Sequence, residues 1–442
     1  MINKSIFKAY DVRGIYPADL NESAAYATGR AFVKVTGVKN IVIGQDARLS
    51  SPALFNALAA GVLAEGAEVT SIGQMPTECL YFAVAKYDFD GGIMITASHN
   101  PKEYNGFKMM RREGSDIIWI RGKELLDAVQ DDAYVPQEVT VPAKDILADY
   151  ISHMMAFTDV KQINPLKVVV DASNGVMGPV INAIKDKLPI EIIPLNFEPD
   201  GNFPNHSPNP LEKGAGDQIA AEISKHKADF GIMFDGDADR IFLVDEKGLI
   251  LSSDITRLLL IKYFLQKKPG AAIVYDLICS RAVKDFIEKW GGKPVKAPVG
   301  FVNIREELIK HQGVMGGELS GHFCFTDYFY MDSGMMAFLT LLQILSQDAR
   351  PVSEIAKEFM VYASCPVINF TVTDVAAVLE EVKAKYSDGK QDYMDGVTVE
   401  YDTWWFNLRP SNTEPLIKLT IEADTQEVLE LKKQELTKVI IG

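Results

Sequence analysis

Three apolar runs in this chain stop at an aspartate. NIVIGQD ends at Asp46, KVVVD at Asp171 and AAIVYD at Asp276. Each is a continuous, β-branched stretch that leads into a helical pattern. Uninterrupted apolar strands alternating with helices need a sheet covered on both faces, the parallel α/β arrangement. Each run also has a second apolar strand downstream that ends in a Gly-rich polar loop. These are GGIMITASHN, DFGIMFDGDADR and GVMGGELSGH. The rhythm predicts three related α/β domains with mixed sheets, each presenting one loop at a strand end, where open α/β sheets bind ligands. A chance α/β rhythm would look similar, so the loops must decide the function.

At 442 residues the chain exceeds one core. The polar stretch YVPQEVTVPAKD and the segment GLILSSD mark two seams, and the style changes again near Cys365. We expect domains at 1–145, 146–250, 251–365 and 366–442. The last reads as a smaller α+β domain with alternating strands and an exposed-looking helix from Thr425 to Lys438. A net charge of −15 argues against nucleic acid as a partner, although a local basic cluster can still hold an anionic substrate. The four cysteines are scattered with no CxxC, which predicts reduced thiols in a cytoplasmic protein. Lys8, Asp11 and Arg13 break any signal-peptide pattern. No run approaches the ~20 apolar residues of a membrane helix, and 335–345 has the length of a buried helix.

DGDADR sets Asp235, Asp237 and Asp239 at alternate positions. On an extended backbone these would share a face, and three adjacent carboxylates repel unless a hard cation such as Mg²⁺ holds them; the plain alternative is a solvated acidic turn. The spacing with Glu246 mimics a calcium-binding EF-hand loop. Arg240 stands at that loop's glycine position, however, and a strand pattern follows, so we reject it. RPSNTEP offers the planar fork of Arg409 plus Ser411, Asn412 and Thr413 in a turn, either an anion nest or an ordinary Asx turn. In GGELSGH, Glu318, Ser320 and His322 suit sugar hydroxyls or a structural turn. Arg13 and Arg48 read either as surface residues or as internal ion-pair partners. Ser98 either caps a helix or is functional. Adjacent Ser98 and His99 make a poor nucleophile–base pair, which disfavours a plain serine hydrolase. A serine near three carboxylates and a metal could instead carry phosphate.

Taken together, YDVRG (10–14), TASHNP (96–101), DGDADR (235–240), GELSGH (317–322) and RPSNTEP (409–415) occur in order along the whole chain. This series resembles the α-D-phosphohexomutase family, which includes phosphomannomutase/phosphoglucomutase enzymes. The resemblance implies four domains around one cleft and a Mg²⁺-dependent exchange of phosphate between O1 and O6 of a hexose. The exchange would pass through phospho-Ser98 and a hexose 1,6-bisphosphate, which also serves as activator. It implies Asp235, Asp237, Asp239 and the Ser98 phosphate as metal ligands, and Lys108 as general acid/base helped by His99 and Arg13. Arg240 would orient the reacting groups. Glu318, Ser320 and His322 would bind the sugar, and Arg409, Ser411, Asn412 and Thr413 the distal phosphate. A small phosphosugar would then be the partner, with a monomer or homodimer as the assembly.

Domain three departs from the family pattern. Phe301 follows Gly300 where a histidine is usual, and Ile278 replaces a frequent basic residue. The alternatives are therefore a phosphoglucosamine mutase, or a catalytically weak sugar-phosphate binding protein. Leu319 and Asn412 point toward the mannose/glucose enzymes. A phosphatase using Asp235 as nucleophile is disfavoured by Asp239 at the place where such enzymes carry Thr or Val.

Overall fold

A computed structural model describes residues 2–131, 134–410 and 416–441. The chain forms two units, one of residues 1–252 with 321–353 and the other of 253–320 with 354–442.

In the first unit the run ending at Asp46 forms the strand Asn40–Gln45. Its parallel neighbours are Glu68–Gln74 and Gly91–Ile95, the strand that precedes TASHNP. Tyr104–Glu113 then returns antiparallel, pairing Met94 with Lys108, and Val12–Ile15 and Asp116–Ile120 pair with it in turn. The second sheet repeats this plan. Lys167–Asp171 lies parallel to Glu191–Leu195 and Phe230–Phe234, and Ile241–Val244 returns antiparallel to the latter. Gly91–Ile95 and Phe230–Phe234 are buried at every position, as strands covered on both faces must be. Phe323–Phe325 and Met331–Asp332 form a hairpin that leads to the helix Gly334–Leu345. That helix is buried almost throughout and so realises the apolar run 335–345.

In the second unit Ala272–Asp276 lies parallel to Lys293–Ala297 and Met315–Gly317. In all three repeats the two strands singled out in the sequence are direct parallel neighbours. The C-terminal sheet is antiparallel, in the order Ala363–Ser364, Ile417–Ala423, Trp404–Pro410, Val397–Glu400, Lys390–Asp392. Val382, Leu429, Leu436 and Val439 of its two helices pack on that sheet in one core. The terminal helix runs Gln426–Ile441, later at both ends than expected. Among the described residues no helix is long and apolar enough to cross a membrane.

Candidate active site

Gly91–Ile95 delivers Ser98 into a loop with φ 51°. This left-handed conformation costs a non-glycine residue about 1–2 kcal/mol. Such strain persists where the surroundings over-determine it. Here the Ser98 amide donates to Thr96 Oγ1 at 2.8 Å, and Ser98 Oγ donates to Asp235 Oδ2 at 2.8 Å. The next element is the strand Tyr104–Glu113, so Ser98 caps no helix.

Of the two backbones open to Asp235, Asp237 and Asp239, the structure has the turn. They occupy a turn between Phe230–Phe234 and Ile241–Val244, with Ala238 at φ 64°. The turn, and not one face of an extended strand, gathers the three carboxylates. All three are buried, and an oxygen from each lies within 4.8 Å of the others.

Their electrostatics are uneven. Burial, reinforced by the charges of Asp237 and Asp239, pushes the Asp235 carboxyl up to about 8. Burial also opposes the charge of Asp239, but Lys108 and His322 outweigh it and hold that carboxyl well below its usual range. Lys108 is deeply buried, yet Asp237 and Asp239 keep it an ammonium with a raised pKa. It donates to Asp239 and, at 2.7 Å, to Asp237 Oδ2. The same Oδ2 accepts from Thr77 Oγ1 at 2.6 Å and Thr96 Oγ1 at 3.2 Å. The other oxygen of Asp237 is buried with no hydrogen-bond partner among the described residues. Buried polar atoms are rarely left so. A hard divalent cation with oxygen ligands, such as Mg²⁺, fits three buried carboxylates of which one has an unbonded oxygen.

Around Ser98, His99 Nδ1 lies 3.3 Å from its Oγ. His99 is partly exposed, but desolvation and then the charges of Arg240 and Arg13 keep its ring neutral. Arg13 donates to Ala97 O at 3.2 Å and Asn100 Oδ1 at 2.7 Å, and pairs with Asp11. Arg240 Nε lies 3.2 Å from His322 Nε2 and 3.7 Å from Asp235. His322 Nε2 is 3.1 Å from Asp239 Oδ1 and 3.7 Å from buried Asp332. Asp239, His322 and Asp332 could form a second cation group. Arg240 lies against the histidine nitrogen of this group, so a cation there would face a fixed positive charge.

In the second unit, buried Glu318 accepts from Gly300 N at 3.1 Å and from the Ser320 hydroxyl. Arg409 is buried on Trp404–Pro410, its Nε without a hydrogen-bond partner among the described residues. Ser411, Asn412 and Thr413 lie outside the described residues. Ile278 is a core residue and Phe301 opens the helix Phe301–Lys310.

Sequence reasoning missed Thr77, Thr96, Asp332 and Glu78. Thr96 lies inside the TASHNP motif and was findable there. Thr77 reaches Asp237 across 160 positions, which no local pattern signals. Burial pushes Glu78 up to about 8, and its carboxylate accepts from Ser333 Oγ and Met335 N at the start of Gly334–Leu345.

Four family models account for nearly the whole chain. They are the phosphoglucomutase/phosphomannomutase alpha/beta/alpha domains I, II and III over residues 4–133, 148–248 and 252–362, and the C-terminal domain over 367–439. The chain belongs to the phosphoglucomutase/phosphomannomutase family. Its curated relatives include the "Phosphohexose mutases" protein of Xanthomonas campestris pv. campestris, 38% identical over 443 residues and 99% of each chain. The "Phosphomannomutase" of Salmonella montevideo is 38% identical over 453 residues, covering 98% of this chain and 99% of the relative. A crystal structure of a phosphoglucomutase/phosphomannomutase family protein from Burkholderia thailandensis superposes with a TM-score of 0.89 at 32% identity, over 100% and 98% of the two chains. A phosphoglucomutase of Paramecium, 18% identical with a TM-score of 0.79, shares the fold.

Proposed function

We propose that this family member is a cytoplasmic phosphohexomutase. It exchanges phosphate between O1 and O6 of mannose and/or glucose through phospho-Ser98 and a hexose 1,6-bisphosphate, which also primes the enzyme. The observation that carries this reading is the 2.8 Å contact between Ser98 Oγ and Asp235, which joins a strained serine to a cation-binding triad. The full-length similarity to proteins named phosphohexose mutase and phosphomannomutase supports it.

In this reading Asp235, Asp237 and Asp239 hold Mg²⁺ together with the Ser98 phosphate. When bound, the ion neutralises charge on the phosphoryl group in transfer. The bond from phosphorus to Ser98 Oγ breaks as a sugar hydroxyl bonds to phosphorus. Lys108, held as an ammonium, gives a proton to Ser98 Oγ as it leaves and, then a neutral amine, takes the proton of the attacking hydroxyl, so that it ends the step as an ammonium again. Neutral His99 and the guanidinium of Arg13 flank the serine, and Arg240 orients the reacting groups. His322, Glu318 and Ser320 bind sugar hydroxyls, while Arg409 with Ser411, Asn412 and Thr413 grips the distal phosphate. Positioning and charge supply nearly all the rate.

The test is a coupled assay of mannose, glucose and glucosamine 1-phosphates with Mg²⁺ and trace 1,6-bisphosphate. We expect turnover of the first two that chelator abolishes. Exclusive use of the glucosamine substrate, or phosphate trapped on Asp235, would overturn the proposal.

A further inference from the structure

We infer that Arg48 is a positioning residue for phosphoryl transfer at Ser98, an inference that rests on the function proposed above. Arg48 is fully buried and so never meets substrate. A guanidinium has five N–H donors in a rigid fork and no acceptor. All five are engaged. Nε donates to Asp46 Oδ2 at 3.0 Å. Nη1 donates to Pro101 O at 2.6 Å and Tyr104 O at 3.0 Å. Nη2 donates to Ser98 O at 2.8 Å and Asn100 O at 2.6 Å. Four of these bonds therefore end on main-chain carbonyls, three in the loop that carries Ser98 and one on Tyr104, the first residue of the strand that follows it.

The fork is itself held in place. Asp46 Oδ1 accepts from Arg48 N at 3.0 Å and Ser51 Oγ at 2.9 Å, which fixes the carboxylate under Nε. The ring of Phe203 lies 5.3 Å from the guanidinium carbon. Gly201 packs so closely that a side chain there would overlap Ala47 O, which seats this turn on the Asp46–Leu49 segment. Gly236, inside the aspartate turn, would bring a Cβ to 2.8 Å from Ser98 O. The carbonyl that Arg48 grips is thus also the one against which the cation-binding turn packs. Arg48 fixes the left-handed Ser98 relative to Asp235.

A lysine keeps the charge but offers a single point of donation in place of the fork. The loop then gains freedom, and a misplacement of about 1 Å at a reacting atom costs about a hundredfold in rate. The loss falls on kcat and leaves the KM for hexose 1-phosphate unchanged.

The experiment follows phosphate onto Ser98. Dephosphorylated wild type, Arg48→Lys and Phe203→Leu are each mixed with Mg²⁺ and glucose 1,6-bisphosphate, quenched at intervals and weighed intact. We expect Arg48→Lys to take up phosphate about a hundredfold more slowly, and Phe203→Leu to be slowed less, each measured well below that variant's own melting temperature. A folded Arg48→Lys that is phosphorylated at the wild-type rate overturns the inference and leaves the function standing. If Arg48→Lys does not fold, Phe203→Leu decides: slowed uptake supports the inference, and wild-type uptake overturns it. A wild type that takes no phosphate overturns the function, and the inference with it.

Discussion

Asp46 and Asp171 close corresponding strands of the first two sheets, and different cations answer them. Asp46 meets the buried guanidinium of Arg48, which reaches the serine loop. Asp171 accepts from Ser173 N at 2.8 Å and Asn196 Nδ2 at 3.1 Å, and pairs at 2.9 Å with His206. Ser173 Oγ then donates at 2.5 Å to Phe234 O, just ahead of Asp235. Asp276 of the third repeat likewise holds Arg257 Nη1 at 3.2 Å and accepts from Leu319 N at 2.9 Å, beside Glu318. Each strand-end aspartate thus braces the loop of the neighbouring strand. The difference lies in titration: a guanidinium stays charged at any working pH, whereas an imidazole does not. The serine loop is pinned permanently and the aspartate turn conditionally.

The comparison breaks most visibly if Asp46 is removed. Asp46→Leu leaves Arg48 buried without its counter-charge, and losing one partner of a buried pair costs about 3–5 kcal/mol. Urea unfolding should show that loss. An effect no larger than that of the surface control below would mean that Arg48 needs no bracket.

A fork differs from a point charge in the C-terminal domain as well. Arg409→Lys should weaken phosphate binding by about 1.5–3 kcal/mol, equally for mannose and glucose 1-phosphates. Measured kcat/KM for both sugars checks this, and a change in their ratio would contradict a phosphate-reading role.

His206 sharpens the contrast between the two brackets. Desolvation opposes its charge, but its bonds to Asp171 and Ser207 raise its pKa above the ordinary 6.5. A raised folded pKa means that its stabilisation is complete below pH 6.5 and fades as pH rises through the folded value. Wild type should exceed His206→Gln by about 1.5 kcal/mol in acid, and the gap should close toward alkaline pH. Urea midpoints over that range test this, and a constant gap would refute it. The smallest effect belongs to Lys310→Ala, which removes one of two exposed partners of Glu307 among the described residues, the other being His311. That should change stability by less than about 1 kcal/mol.

These brackets also mark where the sequence stopped being readable. Three apolar runs ending at Asp46, Asp171 and Asp276, each followed by a second strand, were enough to place three related sheets, because strand covering is written in local composition. The three aspartates of DGDADR were legible as a group for the same reason. How they meet was not: an extended stretch and a turn share that spelling, and Ala238 at φ 64° decides for the turn. His206 finds Asp171 across 35 positions and Tyr328 OH finds Glu78 O across 250, contacts set by packing and not by pattern. Arg48 sits two residues from Asp46 and reads in the sequence as a surface residue or an internal ion-pair partner. Its four carbonyl partners lie 50 to 56 positions away.

In the proposed reaction Ser98 carries the phosphate that is exchanged. Peptide-resolved mass spectrometry of the purified protein, before and after excess mannose 1-phosphate, tests it most directly. One phosphoryl group is expected on Ser98, removed by the sugar and restored by 1,6-bisphosphate, with no phosphate and no turnover in Ser98→Ala. Full turnover by Ser98→Ala, or an exchangeable phosphate on any other residue, would contradict it.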